Sequence, residues 1–378
     1  LLSDNARNVA IIGLGSGVTA GAALQYPIES LDVIEISPEV VAASDFFRHV
    51  NHDALRDKRT QLIIGDGRNH LRYIRKQYDV IVSEPSNPWM SGMASLFSRE
   101  FFQEALQRLT ANGIHCQWFH SYNMSTDDLR TVIATFRSVF PHAQLWALNQ
   151  NDFLLLGSPS RIEVDEKTVS RNFAHVTKDL KPIGIVDVYS VVSLYLLENT
   201  DLDTFSAGAV LNTDSHPVLE FHAPRFIYAN TSDENFAALT AVRKTVEPPP
   251  FVRQLTSVAT GANHRYKGGM YLTSDSFKDA IREFRLAIEA DANDSEAWAG
   301  LLKAARSVPE RPDIKKFIEE LLARHPVTPV QTSAAEFYAQ ESAYDNAISL
   351  LQQVLEREPK NVKAWETLVD VQAERAGP

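Results

Sequence analysis

Val9-Ala10-Ile11-Ile12-Gly13-Leu14-Gly15-Ser16-Gly17 is the stretch from which the rest of the chain is read. Four apolar residues, three of them β-branched, run into three glycines on alternate positions. The small residues Ala20 to Leu24 follow. This order predicts a buried parallel strand, a tight turn and a helix N-terminus. Glycines at such a turn adopt positive φ and let a ligand approach the backbone. The next strand signal, Leu31-Asp32-Val33-Ile34-Glu35, ends in an acid twenty residues after Gly15. A carboxylate there can accept both hydroxyls of a ribose. The dinucleotide fingerprint would need glycine at position 18, and Val18 stands there. The spacing therefore favours a nucleoside without a pyrophosphate.

Working outward, strand and helix signals alternate through residues 1–157. Gln61 to Ile64 leads into Gly65-Asp66-Gly67-Arg68, and Tyr78 to Val82 into Ser83-Glu84-Pro85-Ser86-Asn87-Pro88. Gly113 to Phe119 reads as a fifth strand between helices at Phe101–Leu109 and Thr126–Val139. Ala143–Leu148 and Asp152–Leu156 lie so close together that a hairpin is the economical connection. The expected fold is α/β, a doubly wound sheet of the class I methyltransferase kind with one antiparallel edge strand. Ligands of such sheets sit beyond the carboxyl ends of the strands, where Gly13, Glu35, Asp66, Glu84 and Gln117 all fall. S-adenosylmethionine (SAM) or a relative is the natural candidate.

Residues 158–230 predict a helical appendage packed near the site, with a helix over Val186–Leu197 and a short strand at Val218–Phe221. Residues 231–258, with the run Glu247-Pro248-Pro249-Pro250, read as a linker. From 259 to 378 the pattern is helical and repeats. Ala280 and Ala347 stand 67 apart, as do Trp298 and Trp365. That is close to twice the ~34-residue tetratricopeptide period. The two tryptophans then pack between helices, and the array offers a surface for a protein partner.

The 378 residues carry a formal charge of -11, which argues against a general nucleic-acid binder and suits a cationic partner. Cys116, the single cysteine, excludes an internal disulfide and fits a reducing, cytoplasmic setting. The histidines lack ligand spacing, so no metal is expected. No apolar run is long enough to span a bilayer. The chain opens at Leu1 without methionine and reads as a piece of something longer.

GLGSG, Val33-Ile34-Glu35-Ile36, Gly65-Asp66-Gly67-Arg68, Tyr78-Asp79-Val80-Ile81, Pro88, Ser95-Leu96-Phe97 and Gly113-Ile114 occur in the order that resembles the polyamine aminopropyltransferases, the spermidine/spermine synthases. Asn212-Thr213-Asp214 with Leu219-Glu220-Phe221 resembles a bacterial branch of that family, often fused to a membrane-spanning portion. The resemblance implies transfer of an aminopropyl group from decarboxylated SAM to an amine such as putrescine, at the cytoplasmic face of a membrane if that portion exists. It implies a donor site at Gly13, Gly15, Gly17, Glu35, Asp66 and Gly67. Glu35 would take the ribose hydroxyls and Asp66 the adenine amino group. The loop Glu84 to Pro88 would border the amine, with Glu84 as base and Asn87 beside it. Apart from the resemblance, Gln117, Tyr122, His115 and His120 lie near the end of the fifth strand, where they could line the substrate side. Asp214 could reach the site if the appendage folds over it, although Asn-Thr-Asp is equally a turn or helix cap.

Three departures touch the amine half. The family's D-S-S-D-P loop reads Glu84-Pro85-Ser86-Asn87-Pro88, its glycine-loop acid is replaced by Ser16, and its N-terminal hairpin has no counterpart before Val9. Two rival readings follow: a SAM-dependent methyltransferase, and a non-catalytic nucleoside-binding scaffold whose repeats bind a partner.

Overall fold

The computed structural model describes residues 1–90, 92–183, 185, 187–243, 250–257, 261–273, 275–308 and 312–376. They divide into two compact units, Leu1–Leu180 with Asp187–Ser257, and Lys181–Val186 with Val258–Pro378.

The first unit opens with β1 (Asn8–Ile12), α1 (Val18–Leu24), β2 (Ser30–Glu35), α2 (Pro38–Ser44) and α3 (Arg48–Asn51). It continues with β3 (Thr60–Ile64), α4 (Gly67–Tyr73), β4 (Tyr78–Ser83), α5 (Arg99–Arg108), β5 (Leu109–His120), α6 (Thr126–Arg137), β6 (His142–Ala147) and β7 (Asp152–Ser158). The eight-stranded sheet has the order β3-β2-β1-β4-β5-β7-β6-β8, where β8 is Tyr195–Glu198. β1 to β5 are parallel to one another. The expected hairpin forms, but β7 inserts between β5 and β6 and is antiparallel to both. β8 then adds an antiparallel edge beside β6. The sheet thus has one antiparallel strand inside and one at its edge.

Each sheet face is covered because parallel strands are apolar on both sides. Val9, Ile11, Leu31 and Val33 pack with Ala20 and Leu24 of α1. Ala10, Ile12, Ile34 and Ile81 pack on the opposite face with Phe101 and Phe102 of α5 and Leu129, Val132 and Phe136 of α6.

The appendage holds α7 (Glu166–Leu180), α8 (Val188–Val192), β8, α9 (Asn199–Phe205) and α10 (Val218–His222). The helix expected over Val186–Leu197 therefore stops at Val192. Tyr195, Leu196 and Leu197 are all buried and satisfy the edge of β6, an advantage that local spacing cannot reveal. Val218–Phe221 is helical rather than a strand, as α10.

Most of the expected linker is also helical, as α11 (Ser232–Arg243) and α12 (Pro250–Ser257). Leu239 is fully buried in the main core, and Asn235 donates to the carbonyls of Ser121 and Met124, both at 2.8 Å. Pro250 begins a helix, the one helical position where its missing N–H costs nothing. The run at 247–249 lies outside the described residues. By contacts, residues 158–180 and 187–257 belong with the sheet.

The second unit contains α13 (Gly261–Thr273), α14 (Phe277–Ala290), α15 (Ser295–Arg306), α16 (Pro312–Arg324), α17 (Thr328–Gln340), α18 (Tyr344–Arg357) and α19 (Val362–Ala376). Gly261 and Thr328, Phe277 and Tyr344, and Ser295 and Val362 each begin helices 67 residues apart. The tryptophans keep the same bond: Trp298 Nε1 donates to the carbonyl of Ala292 and Trp365 Nε1 to that of Pro359. Trp298 is buried, as a packing residue should be, whereas Trp365 is 50% exposed. Among the described residues no helix is long and apolar enough to cross a membrane.

Candidate nucleoside and amine site

The glycine loop follows β1 directly. Gly13, Gly15 and Gly17 have φ of 93°, 52° and 80°, the left-handed region that disfavours any side chain. The neighbourhood adds a second reason at Gly13, where a Cβ would lie 2.8 Å from the carbonyl oxygen of Glu84. The end of β4 can come this close because Glu84 N donates to Ile12 O at 3.0 Å. A Cβ on Gly15 would meet nothing within 4 Å, so the backbone there has open space above it. Asn51 clamps the loop from below through Nδ2 to Ser16 O at 2.9 Å, a contact across 35 residues that no local motif announces.

Glu35 ends β2 with its carboxylate fixed at both oxygens. Oε2 accepts from Leu14 N of the glycine loop and Oε1 from Ser37 N, each at 2.9 Å. Each oxygen keeps lone-pair capacity for a ligand hydroxyl. Ile36, immediately after it, is 63% exposed, and Ile64 at the end of β3 is 50% exposed. Asp66 follows β3 and caps α4, with Oδ1 accepting from Asn69 N at 2.7 Å. Gly67 has a packing role, since a Cβ there would lie 2.4 Å from Ile12 Cγ2.

Glu84 is half-buried at the edge beside the glycine loop. Thr19 of α1 places its Oγ1 3.0 Å from both carboxylate oxygens. Burial pushes the Glu84 carboxyl above its ordinary range, opposed by the Thr19 hydroxyl. Cys116, whose thiol burial pushes up to about 12, senses the Glu84 charge. The sequence reading missed Thr19 because nothing in a helix's second residue signals which loop it will meet.

The Asn87 side chain lies near the Tyr122 hydroxyl and opposes the rise that burial gives that group, so the loop after β4 meets the one after β5 here. Tyr122 stacks on His120 with centroids 4.2 Å apart, and Trp89 meets His120 edge-on at 4.5 Å. His120 Nδ1 lies 2.9 Å from the carbonyl of Tyr122, which makes Nδ1 the protonated nitrogen. Nε2 is buried without a partner, and burial lowers the imidazole to about 4. Trp89 is the further residue of this cluster that motif reading left out.

Gln117 and His115 turn inward, and Asp214 is exposed and paired. Gln117 is fully buried, within 3.4 Å of His115 and donating to the carbonyl of Trp118. His115 belongs to the core, stacked on Phe140 at 5.4 Å and lowered to about 4 by burial. Asp214 accepts both terminal nitrogens of Arg68 at 2.8 and 2.6 Å. That guanidinium, which also binds Glu104, holds the Asp214 carboxyl below its usual range. The segment around Asp214 serves the site indirectly. Asn212 Nδ2 donates to the carbonyls of Ala94 and Phe97, and Glu220 accepts from Gly92 N, fastening the chain after the Glu84 loop.

The family model for the spermine/spermidine synthase domain matches residues 1–152. Over that stretch the chain is similar to the spermine/spermidine synthase domain. The polyamine aminopropyltransferase of Thermococcus onnurineus is 30% identical over 141 residues, covering 37% of this chain and 50% of the relative. That of Thermococcus kodakarensis is 31% identical over 147 residues, 37% of this chain and 51% of the relative. That of Prochlorococcus marinus is 39% identical over 115 residues, 29% and 40% respectively. The chain spans about half the length of the curated relatives it matches. A crystal structure of spermidine synthase in complex with the transition state analogue AdoDATO aligns with a TM-score of 0.40 and 20% identity, over 48% of this chain and 71% of that one. The matched segment thus ends at the first residue of β7 and takes in β1 to β6.

Proposed function

We propose that the chain binds the adenosyl part of decarboxylated SAM, or of SAM, and transfers an aminopropyl group to an amine such as putrescine or another polyamine. The observation that carries the reading is the placement of two carboxylates around one positive-φ loop. Glu35 is pinned by the amide of Leu14, and Glu84 is held against Gly13.

Glu35 takes the ribose hydroxyls through its remaining lone pairs, and the adenine lies along Ile36 and Ile64 with its amino group toward Asp66. Glu84 pairs with the incoming ammonium and takes one proton from it. The free amine nitrogen then attacks the propyl carbon in line, forming the N–C bond as the C–S bond of the sulfonium breaks. The electron pair leaves on sulfur as neutral methylthioadenosine. Asn87 and Tyr122 border the acceptor as neutral hydrogen-bonding groups. Product formation from decarboxylated SAM with putrescine, cadaverine and spermidine tests this, beside calorimetry with SAM, decarboxylated SAM and methylthioadenosine. Nucleoside binding without turnover on any amine would reject the transferase assignment.

A SAM-dependent methyltransferase is the second reading, favoured by Ser16 and Asn87, since neither supplies the charge a diamine needs. The same calorimetric series separates it by a preference for SAM over the decarboxylated donor. The 67-residue recurrence supports tetratricopeptide-like repeats and a protein partner for the second unit.

A further inference from the structure

Asn51, the last residue of α3, is buried, and both N–H groups of its amide are spent. Nδ2 donates to the carbonyl oxygens of Ser16 at 2.9 Å and Ser44 at 3.0 Å, while Oδ1 accepts from Asp53 N at 3.0 Å. The bond to Ser16 stands at one end of a short relay. Gly17 N, on the same peptide unit as the Ser16 carbonyl, donates to Leu14 O at 2.8 Å and closes the turn Leu14–Gly17. Leu14 N in turn donates to Glu35 Oε2 at 2.9 Å. A peptide unit is rigid and planar, so releasing Ser16 O loosens Gly17 N and the turn that it closes. The carboxylate that would take the ribose is therefore oriented by a turn whose far side hangs on Asn51.

Features that each cost stability converge on this residue. His52 and Asp53, which follow it, have φ of 54° and 53°, two consecutive residues with side chains in the left-handed region. Their side chains are tied down: His52 Nε2 lies 3.0 Å from both oxygens of Asp179 in α7, and Asp53 pairs with Arg56 at 3.2 Å. Gly21 interrupts α1, although glycine is a poor helix former. A Cβ there would run into the backbone carbonyl of Asn51. Burying an amide is a further cost, offset here by its hydrogen bonds. An apolar side chain would fill the same space, but it could not hold the carbonyls of Ser16 and Ser44.

We infer that Asn51 is a positioning residue for the nucleoside, acting on Glu35 through the Leu14–Gly17 turn; this rests on the nucleoside reading above. The test measures methylthioadenosine affinity by titration calorimetry on the full chain, at a temperature where circular dichroism shows each variant folded. Asn51→Leu fills the space but donates nothing, and Asn51→Ala removes the group outright, so one serves if the other folds poorly. Either should weaken binding roughly tenfold, as loss of a buried hydrogen bond that shapes the site does. In a Glu35→Ala background the same change should cost less than about twofold, because the group that Asn51 orients is gone. A general loss of packing would instead weaken both backgrounds alike. Equal affinity in wild type and the Asn51 variants, or the same fold-loss with and without Glu35, would overturn the inference and leave the nucleoside reading standing. Wild type that binds no methylthioadenosine would reject the nucleoside reading, and the inference with it.

Discussion

Glu84 carries the most specific residue-scale consequences. Its folded carboxyl titrates above the unfolded one because burial disfavours the charge. The folded state therefore binds this proton more tightly. The site costs stability as pH rises from the ordinary glutamate range through the raised value, and costs nothing well below it. Glu84→Gln should raise the melting temperature at pH 7 to 8 and leave it nearly unchanged at pH 4, measured by scanning calorimetry. A base must be ionised, so the transfer rate should climb with pH along that same raised titration. Thr19→Val removes the one hydroxyl that favours the charged form and should move the acid limb of the rate profile to higher pH, while Thr19→Ser should restore it. Glu35→Ala should weaken methylthioadenosine binding by about 1.5–3 kcal/mol for each charge-assisted bond lost, read by titration calorimetry. Glu35 and Glu84 were legible in the sequence because each ends an apolar strand. Thr19, Asn51 and Trp89 were not, since their partners lie on other elements and only folding brings them together.

At the scale of elements, the close approach of backbone segments sets the site. Gly67→Ala would drive a Cβ into Ile12 Cγ2 and should destabilise the first unit by about 1–3 kcal/mol, the range for overpacking. Denaturant unfolding measures it. If Gly67 instead acts mainly as a ligand contact, binding would fall and stability would hold. The strand–turn–helix order and the β6–β7 hairpin could be read from alternation and loop length. The insertion of β7 and the addition of β8 could not, because strand neighbours are chosen by long-range pairing rather than by local spacing. The same reason hid α11. Its Ser/Asp/Glu start and weak periodicity look like linker until Leu239 and Asn235 meet the core and the loop after β5. The bidentate pairing of Asp214 with Arg68 was equally hidden, since the two residues lie 146 apart in the chain.

The whole molecule has two compact units with different architectures, a mixed sheet and a helical array. Ligand binding stabilises only the unit that holds the site. Calorimetry should therefore resolve two unfolding transitions, of which methylthioadenosine raises one and leaves the other in place. A single transition shifted as a whole would show that the units melt together. The division was visible in the sequence as a change from alternating to purely helical patterning, and the 67-residue recurrence as matched alanines and tryptophans. The exposure of Trp365 against the burial of its counterpart Trp298 was not visible, since the same residue type serves both.

The central claim is that Glu84 is the base of an aminopropyl transfer at a working nucleoside site. The most direct measurement is product formation from decarboxylated SAM and a panel of amines, wild type against Glu84→Gln, with methylthioadenosine affinity measured on both proteins. The glutamine keeps the shape and a hydrogen-bonding group but cannot take a proton. The account predicts equal nucleoside affinity and a rate lower by about 10²–10⁴-fold in Glu84→Gln. Equal rates in the two proteins would contradict it.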